Sequence, residues 1–321
     1  MKRTLQAGAW VLVAALSGPA WAGGFDLPQV AYPADNAYTP DKAELGKLLF
    51  FDPRLSGSNV ISCATCHNPA LGWADGMAKG LGHMGAQLGR NTPTVINTAF
   101  YAEQFWDGRA PSLEAQAKGP IQSEAEMHQG AAALVAELKA IPGYARRFEQ
   151  VFPGEGVTFD NVARAIAVYE REIVSGNSRF DRFQHGETAA LDEASRRGWE
   201  LFKGKARCAS CHNGPNFSDN RFHNLGVDDG DKGRGAVTGK AREDGAFKTP
   251  TLRDVTRTAP YLHNGQEATL MGVMRYYNQG GARQPNELQP LGLTDADMAD
   301  LVALMYALES PFRVVTLPEL P

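Results

Sequence analysis

Cys63-Ala64-Thr65-Cys66-His67 recurs as Cys208-Ala209-Ser210-Cys211-His212, and both copies continue with asparagine. Two thiols three positions apart, followed at once by histidine, form the attachment signal of c-type haem. The thiols add to the vinyl groups and the imidazole binds the iron. Two copies call for two covalent haems. They use all four cysteines of the chain, so none is left for a disulfide. Other thiol chemistry fits less well. A thioredoxin-type pair needs no following histidine and sits near a βαβ pattern that is absent here. A four-cysteine zinc site would have to unite pairs 145 positions apart, from 63 to 208.

The start of the chain agrees with haem attachment outside the cytoplasm. Lys2 and Arg3 precede an apolar run from Ala9 to Leu16, and Ala20-Trp21-Ala22 offers a cleavage site before Gly23. This predicts a secretory signal peptide over residues 1–22 and a periplasmic mature protein. The run is shorter than the ~20 residues that cross a bilayer, and no later segment suits better, so no membrane span is expected. The chain has 32 basic and 36 acidic side chains. Loss of Lys2 and Arg3 moves the net charge from -4 to -6 (30 minus 36). Nucleic acid, which wants a basic surface, is excluded as a partner.

About 300 mature residues, at roughly 150 per domain, suggest two domains. Their expected bounds are 23–180 and 181–321. Thr39-Pro40-Asp41 reads as a helix start, and Leu45, Leu48, Leu49 and Phe50 follow at helical spacing before the first motif. A second helix, Ala194 to Phe202, precedes the second motif in the same way. Gly198-Trp199-Glu200-Leu201-Phe202 stands where Gly46-Lys47-Leu48-Leu49-Phe50 stood. Val162, Ile166, Tyr169 and Ile173 line one face of a helix between Thr158 and Val174. Ser175 to Gly186 reads as polar, irregular chain at the domain boundary. Thr294 caps a last helix to Leu308, with Asp297 placed for a capping box. The fold class is therefore mainly α: two cytochrome c-like domains with long loops, each holding one covalent haem.

Five further stretches resemble, in order and spacing, the bacterial dihaem cytochrome c peroxidases and their relative MauG. They are Arg90-Asn91-Thr92-Pro93-Thr94, Phe105-Trp106-Asp107-Gly108-Arg109, Gln116-Ala117, Glu126-Met127, and Thr258-Ala259-Pro260-Tyr261-Leu262-His263-Asn264-Gly265. The resemblance covers nearly the whole mature chain. It implies that the haem on His67 reacts with peroxide, with Glu126 as the distal acid–base and Gln116 as a distal hydrogen-bonding amide. Trp106 matches the tryptophan between the haems. His83, sixteen residues after His67, matches the histidine that caps the peroxidatic iron in many oxidised family members, and Met84 competes with it. The glycines of Gly80-Leu81-Gly82-His83-Met84-Gly85 would let that loop move.

At the second haem, held by Cys208, Cys211 and His212, the chain departs from the peroxidases. They place methionine seventeen positions after the proline matching Pro260; here that residue is Tyr277, as in MauG-type proteins. Met274 and Met271 lie one and nearly two helical turns earlier as alternative ligands. Asn91, Thr258 and Pro260 match the family's calcium position between the haems. His263 is expected near a haem propionate. His128 and His185 receive no role, and neither does His223 beyond proximity to the second haem.

The leading functional expectation is a dihaem peroxidase. Its partners are hydrogen peroxide and a small electron donor, either a monohaem cytochrome c or a copper protein. The first alternative is a MauG-like oxidase that modifies side chains of a partner protein through a high-valent two-haem state. The second is a plain dihaem electron carrier, which would have no use for Glu126 or Gln116. Family members are often homodimers, although no residue of this sequence shows it.

Overall fold

The computed structural model describes residues 24–321. The expected signal peptide lies outside them. Helix α1 (Pro40–Phe51) begins where Thr39 Oγ1 accepts the Lys42 amide at 3.2 Å, and α2 (Cys63–Cys66) is the first attachment turn. Four longer helices follow: α3 (Leu113–Gln122), α4 (Ala131–Ala140), α5 (Pro142–Val151) and α6 (Phe159–Arg171). The second half carries α7 (Arg179–Gln184), α8 (Glu193–Lys203), α9 (Arg234–Thr238), α10 (Leu270–Gln279) and α11 (Asp295–Ala307). Two short strands, β1 (Phe222–Asn224) and β2 (Ala246–Lys248), pair antiparallel with His223 opposite Phe247.

The internal repeat is visible in the packing. Helix α1 crosses α6 at Gly46, where an added Cβ would lie 2.0 Å from the Ala165 carbonyl oxygen. Helix α8 crosses α11 at Gly198, where a Cβ would meet the Asp300 carbonyl oxygen at 2.1 Å. Each glycine thus lets two backbones touch and stacks the helix that leads into an attachment motif against a partner helix. Leu45, Leu48, Leu49 and Phe50 fill the first core with Val162, Ile166 and Tyr169. Trp199 and Phe202 fill the second with Leu301, Leu304 and Met305.

The stretch 175–186, expected to be irregular, contains α7. Ser178 and Asp181 cap its start reciprocally, and Phe180 is fully buried against Phe25 and Trp199. Buried Arg253 holds Asp181 at 2.8 Å from below. Phe180 and Phe183 alone among its six residues are apolar, too little periodicity to announce a helix; the caps and the tertiary ion pair make it. The last helix begins with the expected Thr294–Asp297 capping box. Among the described residues, no helix is long and apolar enough to cross a membrane.

Candidate functional site: two attachment motifs with unlike surroundings

Each motif histidine is oriented by a backbone carbonyl. His67 Nδ1 lies 3.2 Å from the Trp73 oxygen and His212 Nδ1 2.9 Å from the Phe217 oxygen. A carbonyl only accepts, so Nδ1 carries the proton and Nε2 keeps its lone pair, the form that binds a metal. Burial holds both imidazoles below their ordinary pKa, which keeps them neutral. The four cysteines are unpaired. Burial pushes the Cys66 thiol up to about 11, helped by the Asp75 and Glu126 carboxylates, and Cys208 up to about 12. A cavity of about 530 Å³ opens beside the second motif, bordered by Cys208, Cys211 and His212. Thiols, neutral imidazoles and an apolar cavity together fit a thioether-bound haem.

Helix α3 and the turn after it carry the two residues expected on the peroxide side of the first motif. Gln116 is half-buried in α3. The chain then folds back, with the Met127 amide donating to Pro120 O at 3.1 Å and the Gln129 amide to Ile121 O at 2.8 Å. This turn carries Glu126, half-buried and close enough to Cys66 to raise its pKa. Burial lifts the Glu126 carboxyl above the usual carboxylate range, while Ser123 and Arg109 partly oppose the lift. The His83 loop packs on the same turn. The His83 amide donates to Ala125 O at 3.0 Å, and a Cβ on Gly82 would lie 1.9 Å from that oxygen. Met84, the competing ligand candidate, is 92% exposed and points away.

The second motif faces different chemistry. Tyr277 on α10 borders the cavity, as does Met274 one turn earlier. Burial raises the Tyr277 phenol pKa, and the nearby thiols of Cys208 and Cys211 raise it further. Met271 packs against the second core instead of bordering the cavity. Tyr276 points the other way and donates to Leu225 O at 3.0 Å.

A set of polar contacts joins the two halves of the chain. Trp106 Nε1 donates to Asn91 O at 2.9 Å, and the Asn91 amide donates to His263 O at 2.8 Å. Arg90 bridges Asp107 at 2.7 Å and Asp231 at 2.6 Å, tying the Trp106 loop to the second half. Buried His263 stacks on Phe247 with centroids 3.5 Å apart and binds Asp229 at 2.9 Å. Asn91 Nδ2 donates to Met77 O at 2.8 Å. Among the described residues, the Asn91 side-chain oxygen and the Thr258 and Pro260 carbonyls accept no hydrogen bond. All three residues border the cavity.

Three residues without a sequence signal stand out. His223 sits between Asp219 (2.9 Å) and Glu287 (2.6 Å), with Cys211 beside it. Cys211 and the two carboxylates lift its pKa to about 10. His128 stacks on His83. Glu170 on α6 is buried, with Oε2 unpartnered. Arg171 beside it is engaged by Glu114 at 2.7 Å. Burial therefore lifts the Glu170 pKa to about 8. Its folded pKa exceeds the unfolded value of about 4.3, so the folded chain binds the extra proton. Stability from this group is full below the unfolded pKa and is lost as pH rises through about 8. Glu170→Gln should raise the thermal midpoint by several degrees at pH 9 and leave it nearly unchanged at pH 4. Equal midpoints at pH 9 would show that Glu170 ionises without cost.

The di-haem cytochrome c peroxidase family model matches residues 40–189. The methylamine utilization protein MauG of Methylorubrum extorquens is 44% identical over 299 residues, which cover 91% of this chain and 85% of that one. The cytochrome c551 peroxidase of Pseudomonas aeruginosa is 40% identical over 289 residues, covering 87% and 81%. The fold matches a solved MauG-like protein associated with microbial copper homeostasis. That match has a TM-score of 0.83 at 30% identity, with coverage of 94% and 96%.

Proposed function

We propose, since this chain belongs to the di-haem cytochrome c peroxidase family, that it reduces hydrogen peroxide to water in the periplasm with electrons from a small redox protein. The donor would be a monohaem cytochrome c or a copper protein. Cys63 and Cys66 would hold one haem with His67 Nε2 on its iron, and Cys208 and Cys211 the other with His212. Bound there, the haems supply the iron that takes up peroxide oxygen and passes electrons.

The chain's own residues then divide the work. The Glu126 carboxylate takes the proton of the peroxide's inner oxygen and returns it to the leaving oxygen. The Gln116 amide hydrogen-bonds the peroxide without competing for that proton. His83, on its glycine-containing loop, would be the side chain able to control access to the first haem. Tyr277 would hold the second haem from α10, and Trp106 would couple the two haems. The observation that carries this reading is the half-buried Glu126, with a raised proton affinity, beside Cys66. The test is peroxide-dependent oxidation of a reduced monohaem cytochrome c. A protein with both haems loaded that cannot do this is not a peroxidase.

A second reading has its own support. Tyr277 borders the cavity beside Cys208, where a phenolate would favour oxidised iron. This suits a MauG-like oxidase acting on side chains of a partner protein. Long retention of two oxidising equivalents, with poor cytochrome turnover, would favour it.

Asn91, Thr258 and Pro260 would hold calcium through oxygen atoms alone, which suits a hard cation. Treatment with EGTA is expected to slow peroxide turnover, and added calcium to restore it. Asn91→Ala should be slow under both conditions. Turnover indifferent to chelator and calcium alike would remove the ion from this site.

A further inference from the structure

His128 has no part in the reading above, yet its backbone and its ring are both unusual. Its φ is +50°, in the left-handed region where glycine enters freely and a side chain is strained. Two anchors hold that backbone in place. The His128 amide donates to Ser123 O at 2.9 Å, and Gly57 comes so close that a Cβ there would lie 2.2 Å from the His128 carbonyl oxygen. The ring that results stacks on His83, with centroids 4.6 Å apart and planes at 21°.

His83 depends on that stack. Its backbone is tied to Ala125 O, but its Nδ1 is buried with no hydrogen-bond partner. Among the described residues, His128 is the ring it contacts, and His67 across the same haem site is not. Among the described residues, no side-chain hydrogen bond orients the imidazole. The stack is therefore the specific side-chain contact that orients it.

We propose that His128 is a positioning residue that parks His83 against the 125–128 turn, off the first haem iron, so that the peroxide side stays open in the fully ferric protein. This rests on the peroxidatic reading of the first haem and adds what decides whether His83 binds there. An offset ring stack shifts a two-state equilibrium by roughly two- to tenfold. Loss of the ring should therefore tilt His83 toward the iron by about that factor.

The test is electron paramagnetic resonance of the ferric dihaem protein. Wild type should show a largely high-spin first haem with a minor low-spin fraction that His83→Ala removes. His128→Asn keeps a residue tolerant of the left-handed backbone but removes the ring. It should raise the low-spin to high-spin ratio at that haem roughly two- to tenfold. Adding His83→Ala to it should abolish the gain, and His128→Phe, which restores a stacking ring, should resemble wild type. Two results overturn the proposal. One is a His128→Asn spectrum identical to wild type. The other is a low-spin wild-type haem that becomes high-spin in His83→Ala. Peroxide turnover of the wild type separates the two ideas. Absent turnover with the expected spectra sinks the peroxidase reading and spares the parking role; normal turnover with unmoved spectra sinks only the parking role.

Discussion

Glu126→Gln is expected to lower peroxide turnover by roughly 10²- to 10⁴-fold while both haems remain attached. Glutamine keeps the volume and the hydrogen-bonding oxygen but cannot take or return a proton. The loss should fall on the rate and not on haem loading, because the thioether bonds are made by the thiols of Cys63 and Cys66 and need no proton from Glu126. The pH profile gives a second reading of the same residue. A base works only when deprotonated, so the rate should rise with pH through the pKa of Glu126. Burial places that pKa above the ordinary carboxylate range, so the rising limb should lie above that of a solvated glutamate. Ser123 holds the pKa down, and Ser123→Ala should move the limb to higher pH. Turnover that survives Glu126→Gln with an unchanged pH profile would remove the residue from the chemistry.

What could be read from the sequence differs by kind of feature. The helices α1, α8 and α11 follow from apolar spacing and capping residues, because these signals act within a turn or two of chain. The attachment motifs are equally local. The reason for Gly46 and Gly198 is not local: each meets a carbonyl more than a hundred residues away, at Ala165 and Asp300. Helix α7 has little local signal, because its stability comes from Arg253 and from the Phe25 and Trp199 rings. At the site, Glu126, Gln116, Trp106 and Tyr277 were found through resemblance to a family and not through spacing. His128 lies outside those matched stretches, and its left-handed backbone leaves no trace in residue type. Glu170 looks like any acid on an amphipathic helix until Glu114 is seen to occupy Arg171. His223 owes its raised pKa first to Cys211, and then to Glu287, sixty-four residues on, and to Asp219, four residues on the N-terminal side.

Tyr277→Met should raise the reduction potential of the second haem by roughly several hundred millivolts, since axial ligands tune haem iron over about 0.8 V. A phenolate donates charge and stabilises ferric iron, whereas a thioether stabilises ferrous iron. The buried phenol is reluctant to ionise in the free chain, because burial and the neighbouring thiols both oppose it. An iron in the cavity would reverse that balance, as bound metal ions do for their ligands. The cavity should accept methionine without collapse, because it already has the apolar side chains of Leu270 and Met274 on its wall. The variant should therefore reduce with mild donors, lose the capacity to hold a second oxidising equivalent, and turn over cytochrome faster if oxidising-equivalent storage limits the parent. Met274 is the internal competitor, and the two single variants separate them. If Tyr277 binds the iron, Met274→Leu leaves the potential in place and Tyr277→Phe moves it. If Met274 binds, the responses exchange, and the ferric protein shows a methionine–histidine resonance that Met274→Leu removes. The outcome also bears on the choice of function. A tyrosine-held second haem resists reduction and favours retention of oxidising equivalents, so a large shift in Tyr277→Met joined to a gain in cytochrome turnover would place the parent nearer the protein-modifying oxidases than the peroxidases.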